Sequence, residues 1–192
     1  MEDIINIILI VVVIGLCYWK ISKIRKIHDS GDELLVNLFN YKYYGFFNYV
    51  ILPAFLGLSL GFILSMFGPL ISPVKDISSF LRSIFFASLF EEIFMRGLIF
   101  GSMILLISKY KKKLSKIINL LLITLSLITQ AVIFTKFHYL INPIDIKAFP
   151  SLFLNGILYG LLYIRYDKSL LPSTIAHIFY NFLVFVYDIL IF

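Results

Sequence analysis

Phe90–Gly97 reads "FEEIFMRG" and sits between "FLRSIFFASL" upstream and "LIFGSMILLI" downstream. A predominantly apolar run of this length argues for a buried or membrane helix. Two glutamates and an arginine in its middle argue that the helix faces something other than lipid alone. The helical period then sorts the three charges. Glu92 and Arg96 are four residues apart and share a face, in the favourable acid-before-base order. Glu91 is five residues from Arg96 and falls well around the helix. A self-neutralising ion pair therefore accounts for Glu92 and Arg96. Glu91 is left over as a candidate general base.

The rest of the chain has the same character. Of its 192 residues 60% are hydrophobic, and the mean hydropathy is +0.96. Soluble domains hold roughly 45–50% apolar residues, so the excess points to lipid as the solvent. A helix needs about 20 apolar residues to cross the hydrocarbon core. Six segments qualify: Ile4–Trp19, Phe46–Phe67, Ile77–Ile107, Leu114–Phe134, Ala148–Ile164 and Leu170–Phe192. The expected fold is all-α, a polytopic membrane bundle of about six helices forming one domain over 1–192. A cavity within the bundle would hold the polar groups.

The amino-terminal "MEDIINIILIVVVIGLCYW" carries acids, not bases, before its apolar run, and reads as a membrane helix rather than a cleaved signal. Cys17 is the single cysteine, which excludes an internal disulfide and a cysteine-based metal site. Residues 22–45 form the one sizeable polar stretch, with a short amphipathic helix ending in an aromatic belt.

The net charge of +6 is unevenly placed. Lys20, Lys23, Arg25, Lys26 and Lys42 lie between spans one and two, Lys109, Lys111, Lys112, Lys113 and Lys116 between three and four, and Arg165 and Lys168 between five and six. Those loops hold 12 of the 17 basic residues. The positive-inside rule puts them in the cytoplasm and both termini outside, in a multi-pass cell-membrane protein. "KYKKK" reads as a topology signal with a second use against anionic lipid. No nucleic-acid recognition module accompanies the charge, so nucleic acid is not an expected partner.

GxxxG pairs occur at Gly57/Gly61, Gly97/Gly101 and Gly156/Gly160, and imply close helix–helix packing. Two further polar pairs share helical faces: Phe134 and His138 in "FTKFH", and His177 and Asn181 in "HIFYN". A charge near a bilayer centre costs about 2.5–3.5 kcal/mol on insertion scales, so such groups usually face a cavity and serve a function. A lone intramembrane histidine is more often a helix–helix hydrogen-bond partner. His28 in the polar loop and Asp188 near the carboxyl end read as solvated and interfacial. The weight lies on the joint occurrence. His177 and Asn181 can direct two N–H donors at one point, as oxyanion stabilisation requires.

"EEIFMR" fits EExxxR, "FTKFH" fits FxxxH and "HIFYN" fits HxxxN, in that order on successive segments. Together they make the chain resemble the CAAX-processing and bacteriocin-processing membrane endopeptidases, the Abi or Rce1-type family, over roughly Ser78 to Val186. The resemblance implies a glutamate-dependent intramembrane endopeptidase acting on a peptide or membrane-associated protein. In it Glu91 would activate water with help from His138, and His177 and Asn181 would stabilise the oxyanion. Glu92, Arg96 and Phe134 would support them. No cofactor is implied. Glu91, His138 and His177 also compose a possible His₂Glu zinc site, but HExxH is absent and the resemblance favours metal-free chemistry. Lys136 inside FxxxH suggests a site that opens to water near the membrane surface. A bacteriocin-immunity or regulatory protein of the same fold, acting by binding, is the alternative. A small transporter would need paired broken helices or repeat symmetry, and neither is evident. Substrate identity and oligomeric state have no signature here.

Overall fold

The computed structural model describes residues 45–65, 77–141 and 146–191. All lie within the unit Asn37–Phe192. Span Ile4–Trp19, Cys17, His28 and most of the 22–45 loop lie outside the described residues, as does the side chain of Asp188. Among the described residues every regular element is helical.

Five helices carry the fold. Helix α1 covers 47–65, opening with wide i→i+5 turns at Phe47–Ile51 and continuing as Leu52–Ser65. Helix α2 covers 77–110 and alternates between α turns and two wide stretches, Arg82–Ala87 and Ile93–Phe100. Its backbone stays in the right-handed helical region across the junctions. Helices α3, α4 and α5 are Lys116–Ile141, Phe149–Arg165 and Leu170–Ile191.

Short punctuation separates them. The turn between α2 and α3 is Lys111–Lys113, closed by Asn119 Nδ2 donating to the carbonyls of Lys111 (3.2 Å) and Leu114 (3.3 Å). Pro150 stands in the first turn of α4, where a missing N–H costs nothing. The turn from α4 to α5 uses left-handed backbone at Asp167 and Lys168 (φ 51° and 66°). There the Lys168 N–H donates to Tyr163 O at 2.7 Å, a 6→1 bond that caps the end of α4. Tyr166 donates from its hydroxyl to Asn48 O, and the hydroxyls of Tyr49 and Ser169 are hydrogen-bonded, so this turn is tied to the start of α1.

Three of these helices are long and apolar enough to cross a membrane: Phe47–Leu64, Lys116–Leu140 and Leu170–Tyr187. Six were expected. Helix α4 has 17 residues, about 26 Å at 1.5 Å per residue, just short of a bilayer core of about 30 Å. Helix α2 is long, but it is broken into alternating turn types and carries the charges.

Among the described residues the interior holds a polar cluster within an apolar core, and much of the outer surface is apolar. Glu92, Arg96, Gln130, Thr135, Asn155, Ser173 and His177 are buried, whereas Phe55, Phe62, Leu120, Leu121 and Leu125 are exposed. A soluble protein arranges these types the other way. Lipid-facing apolar surface around a buried polar cluster is the arrangement of a membrane bundle.

Glycines set which helices meet. A Cβ on Gly57 would lie 2.1 Å from Ala176 O, and one on Gly61 would lie 3.2 Å from Tyr180 O, so α1 lies backbone to backbone on α5. A Cβ on Gly156 would lie 2.8 Å from Ala131 Cα, and one on Gly160 2.4 Å from Leu127 Cδ1, so α4 lies equally close on α3. The third pair differs. Gly97 meets only Leu170 at ordinary contact distance, while Gly101 makes room for the Tyr163 hydroxyl. Helix α2 is thereby placed with its charged stretch against α3, α4 and α5.

Candidate active site

The charged stretch of α2 forms the floor of the site. Arg96 Nη1 lies 3.0 Å from Glu92 Oε1, both side chains fully buried, as the i,i+4 spacing predicts. Arg96 Nη2 also donates to Gly156 O at 3.3 Å, and Gln130 Nε2 donates to the same carbonyl at 2.7 Å. Gly156, the residue that lets α4 touch α3, thus also presents a carbonyl to the arginine. The guanidinium carbon lies 4.5 Å from the Phe134 ring centre and 5.1 Å from that of Tyr159. Aromatic faces and a carboxylate take the place of water around a buried cation.

Both histidine motifs reach this floor. His177 on α5 places Nδ1 3.1 Å from Glu92 Oε1 and Nε2 3.7 Å from Glu91 Oε2. His138 on α3 places Nε2 3.3 Å from Glu91 Oε2. His138 Nδ1 lies 2.9 Å from Phe134 O. A carbonyl only accepts, so this contact assigns the proton to Nδ1 and leaves the Nε2 lone pair of neutral His138 facing Glu91. By the same reasoning His177 donates from Nδ1 to Glu92 and turns Nε2 toward Glu91.

Glu91 is therefore not the lone carboxylate that the spacing on α2 predicts. Glu91 and Glu92 are separated by 100° around the helix, but an imidazole has two nitrogens and His177 reaches both. Glu91 and His138 keep 24% and 16% of their side-chain surface exposed, whereas Glu92 and Arg96 keep none. The Glu91–His138 edge is the accessible side of the cluster. Lys136, between Phe134 and His138 in sequence, is exposed while Phe134 and Thr135 are buried, so its ammonium does not share their surroundings.

Asn181 sits apart from that convergence. Its Nδ2 donates to Ser88 Oγ at 3.0 Å, one turn before Glu91 and Glu92 on α2. His177 and Asn181 share a face of α5, but the contacts they make run to different acceptors.

The geometry adds three residues: Ser88, Gln130 and Tyr159. Each had a signal at helical spacing. Ser88 is four residues before Glu92, Gln130 is four before Phe134 and eight before His138, and Tyr159 is four after the buried Asn155. Polar or aromatic groups one turn from a motif residue share its face. Among the described residues, no group of three or more His, Cys, Asp or Glu side chains is disposed as a metal-binding cluster.

A family model described as type II CAAX prenyl endopeptidase Rce1-like matches residues 73–183, more than half of the chain. The chain belongs to the Rce1-like family. The match spans all three motifs, and with them every side chain in the cluster described above. The Rce1-like family is one of CAAX prenyl endopeptidases, which supports protease activity, and the three apolar helices fit a membrane protein. No curated protein matches the chain, and no solved structure does.

Proposed function

We propose that this Rce1-like chain is an intramembrane endopeptidase that hydrolyses a peptide bond with a water activated by Glu91 and His138, without a metal. The observation that carries the proposal is Glu91 Oε2 facing the Nε2 atoms of two histidines, at 3.3 and 3.7 Å, on the accessible edge of an otherwise buried cluster.

In the proposed reaction the water oxygen bonds to the scissile carbonyl carbon while its proton passes to the Glu91–His138 pair. The carbonyl π electrons move onto oxygen. His177 Nε2, when protonated, and the second N–H of the Asn181 amide are the donors assigned to that oxyanion. The tetrahedral intermediate collapses when the pair returns its proton to the departing nitrogen, breaking the C–N bond and leaving an acid and an amine. Glu92 orients His177 and is itself neutralised by Arg96. Two carboxylates and one guanidinium leave a single negative charge, so one proton held between Glu91 and the histidines makes the cluster neutral. A multi-pass position in the cell membrane, with the basic loops cytoplasmic, belongs to the same proposal. Its partners are a peptide or protein substrate and the surrounding lipid.

Full-length protein in nanodiscs, given an internally quenched peptide with a farnesylated CAAX cysteine, is expected to cleave it. Glu91→Gln, which keeps shape and removes the base, is expected to lower the rate at least about 100-fold. His138→Ala should fall by a similar factor. Wild-type turnover in Glu91→Gln would sink the proposal. Comparison with the unprenylated peptide tells whether the lipid is recognised.

A further inference from the structure

Tyr159 lies on α4, a helix that carries none of the three motifs, yet its ring touches a residue of each motif, on α2, α3 and α5. Its ring stacks on the His177 imidazole at 4.7 Å between centres and 22° between planes. The same ring lies 5.1 Å from the Arg96 guanidinium and meets Phe134 edge-on at 6.3 Å and 87°. Phe134 closes the other side, 6.0 Å from His177 and 4.5 Å from Arg96. Tyr159 and Phe134 are thus two walls, at right angles, of a box that holds one imidazole and one guanidinium. Tyr159 is fully buried, and among the described residues its hydroxyl has no hydrogen-bond partner.

The His177 imidazole turns about its Cβ–Cγ bond, and one hydrogen bond, from Nδ1 to Glu92, holds only one edge of it, since Nε2 lies 3.7 Å from Glu91. The stacked face of Tyr159 restricts the rotation that remains. We infer that Tyr159 is a positioning residue that sets the plane of His177 between Glu92 and Glu91 by ring stacking. The inference rests on the reading of the cluster as a hydrolytic site. It assigns the work to the ring and none to the hydroxyl.

The position is reached through Gly156. Without a Cβ there, α4 sits directly on Ala131, and Tyr159, three residues on, is carried over the site.

Two readouts test it on the full chain in nanodiscs. The first is kinetic, with the farnesylated quenched peptide. Tyr159→Phe is expected to keep kcat within roughly twofold, because no hydrogen bond is lost. Tyr159→Leu is expected to lower kcat by about 100-fold, the scale of a 1 Å misplacement. Its KM should be unchanged, since the buried ring has no exposed surface to offer a substrate, and the pH profile of kcat should move. A merely structural residue would change the amount of folded protein and leave that profile in place.

The second readout needs no activity. The chain has three histidines, so the His177 ring protons are assigned by comparison with His177→Gln. They should be shielded by the stacked ring in the wild type and in Tyr159→Phe, and lose that shielding in Tyr159→Leu. If Tyr159→Leu does not accumulate, Tyr159→Met fills more of the site without a ring and takes its place. Unshifted His177 protons in the ringless variants, or a Tyr159→Phe variant as slow as Tyr159→Leu, would overturn the inference. An active Glu91→Gln would instead bring down the hydrolytic reading, and the His177 spectrum would still decide the stacking.

Discussion

Arg96 is the residue on which the charges of the cluster close. It meets Glu92 at 3.0 Å, the Gly156 carbonyl at 3.3 Å and two aromatic faces, all with no exposed surface. Removing it leaves Glu92 buried beside Glu91 with no cation between them. Arg96→Met should therefore cost about 3–5 kcal/mol, as breaking one side of a buried pair does. Thermal denaturation in detergent would register this as a large drop. Adding Glu92→Gln to that variant should recover much of the loss, because no uncompensated charge then remains. If the double variant is no more stable than the single one, the destabilisation comes from packing and the charge account fails. Spacing exposed this pair in advance because i and i+4 meet within one helix whatever the helix packs against. The same periodicity misassigned Glu91 as unpaired, since it has no view of the two imidazoles that approach from α3 and α5.

At the scale of the helices, small residues decide what reaches the site. Gly57 lets α1 lie on α5 at Ala176, the residue before His177. Gly57→Ala puts a methyl group 2.1 Å from a backbone oxygen that cannot move alone. It should cost about 1–3 kcal/mol through overpacking and reduce activity by shifting His177. Gly97→Ala is the control, for its new methyl meets Leu170 Cδ1 at 3.5 Å, an ordinary contact. That variant should be neutral or gain up to about 1 kcal/mol from helix propensity. Paired melting curves check both, and equal behaviour of the two would refute the close-approach argument. The GxxxG spacing marked all three pairs alike. It could not show that Gly97 faces a flexible leucine where Gly57 faces a backbone, because the partner belongs to another helix.

At the scale of the whole molecule, the described residues enclose a charged cluster within an apolar core and beneath an apolar outer surface, with one edge, Glu91 and His138, left accessible. Such a cluster needs every charge matched from within, and here Arg96 and the two imidazoles do the matching. The proposed chemistry then requires water and no ion. Cleavage by full-length protein should persist after exhaustive chelation. Loss of activity restored by added zinc would replace the metal-free mechanism with a His₂Glu one. The membrane class, most helix positions, the family and the Glu92–Arg96 pair are legible along the chain, because each rests on composition or on contacts within a turn or two of one helix. The seating of Glu91 between two histidines, the Ser88 anchor of Asn181 and the Tyr159 wall are not. Their partners stand 18 to 93 residues apart in sequence, and no local period encodes which face of one helix another will cover. That choice falls to the packing, where glycines fix how near two backbones can come.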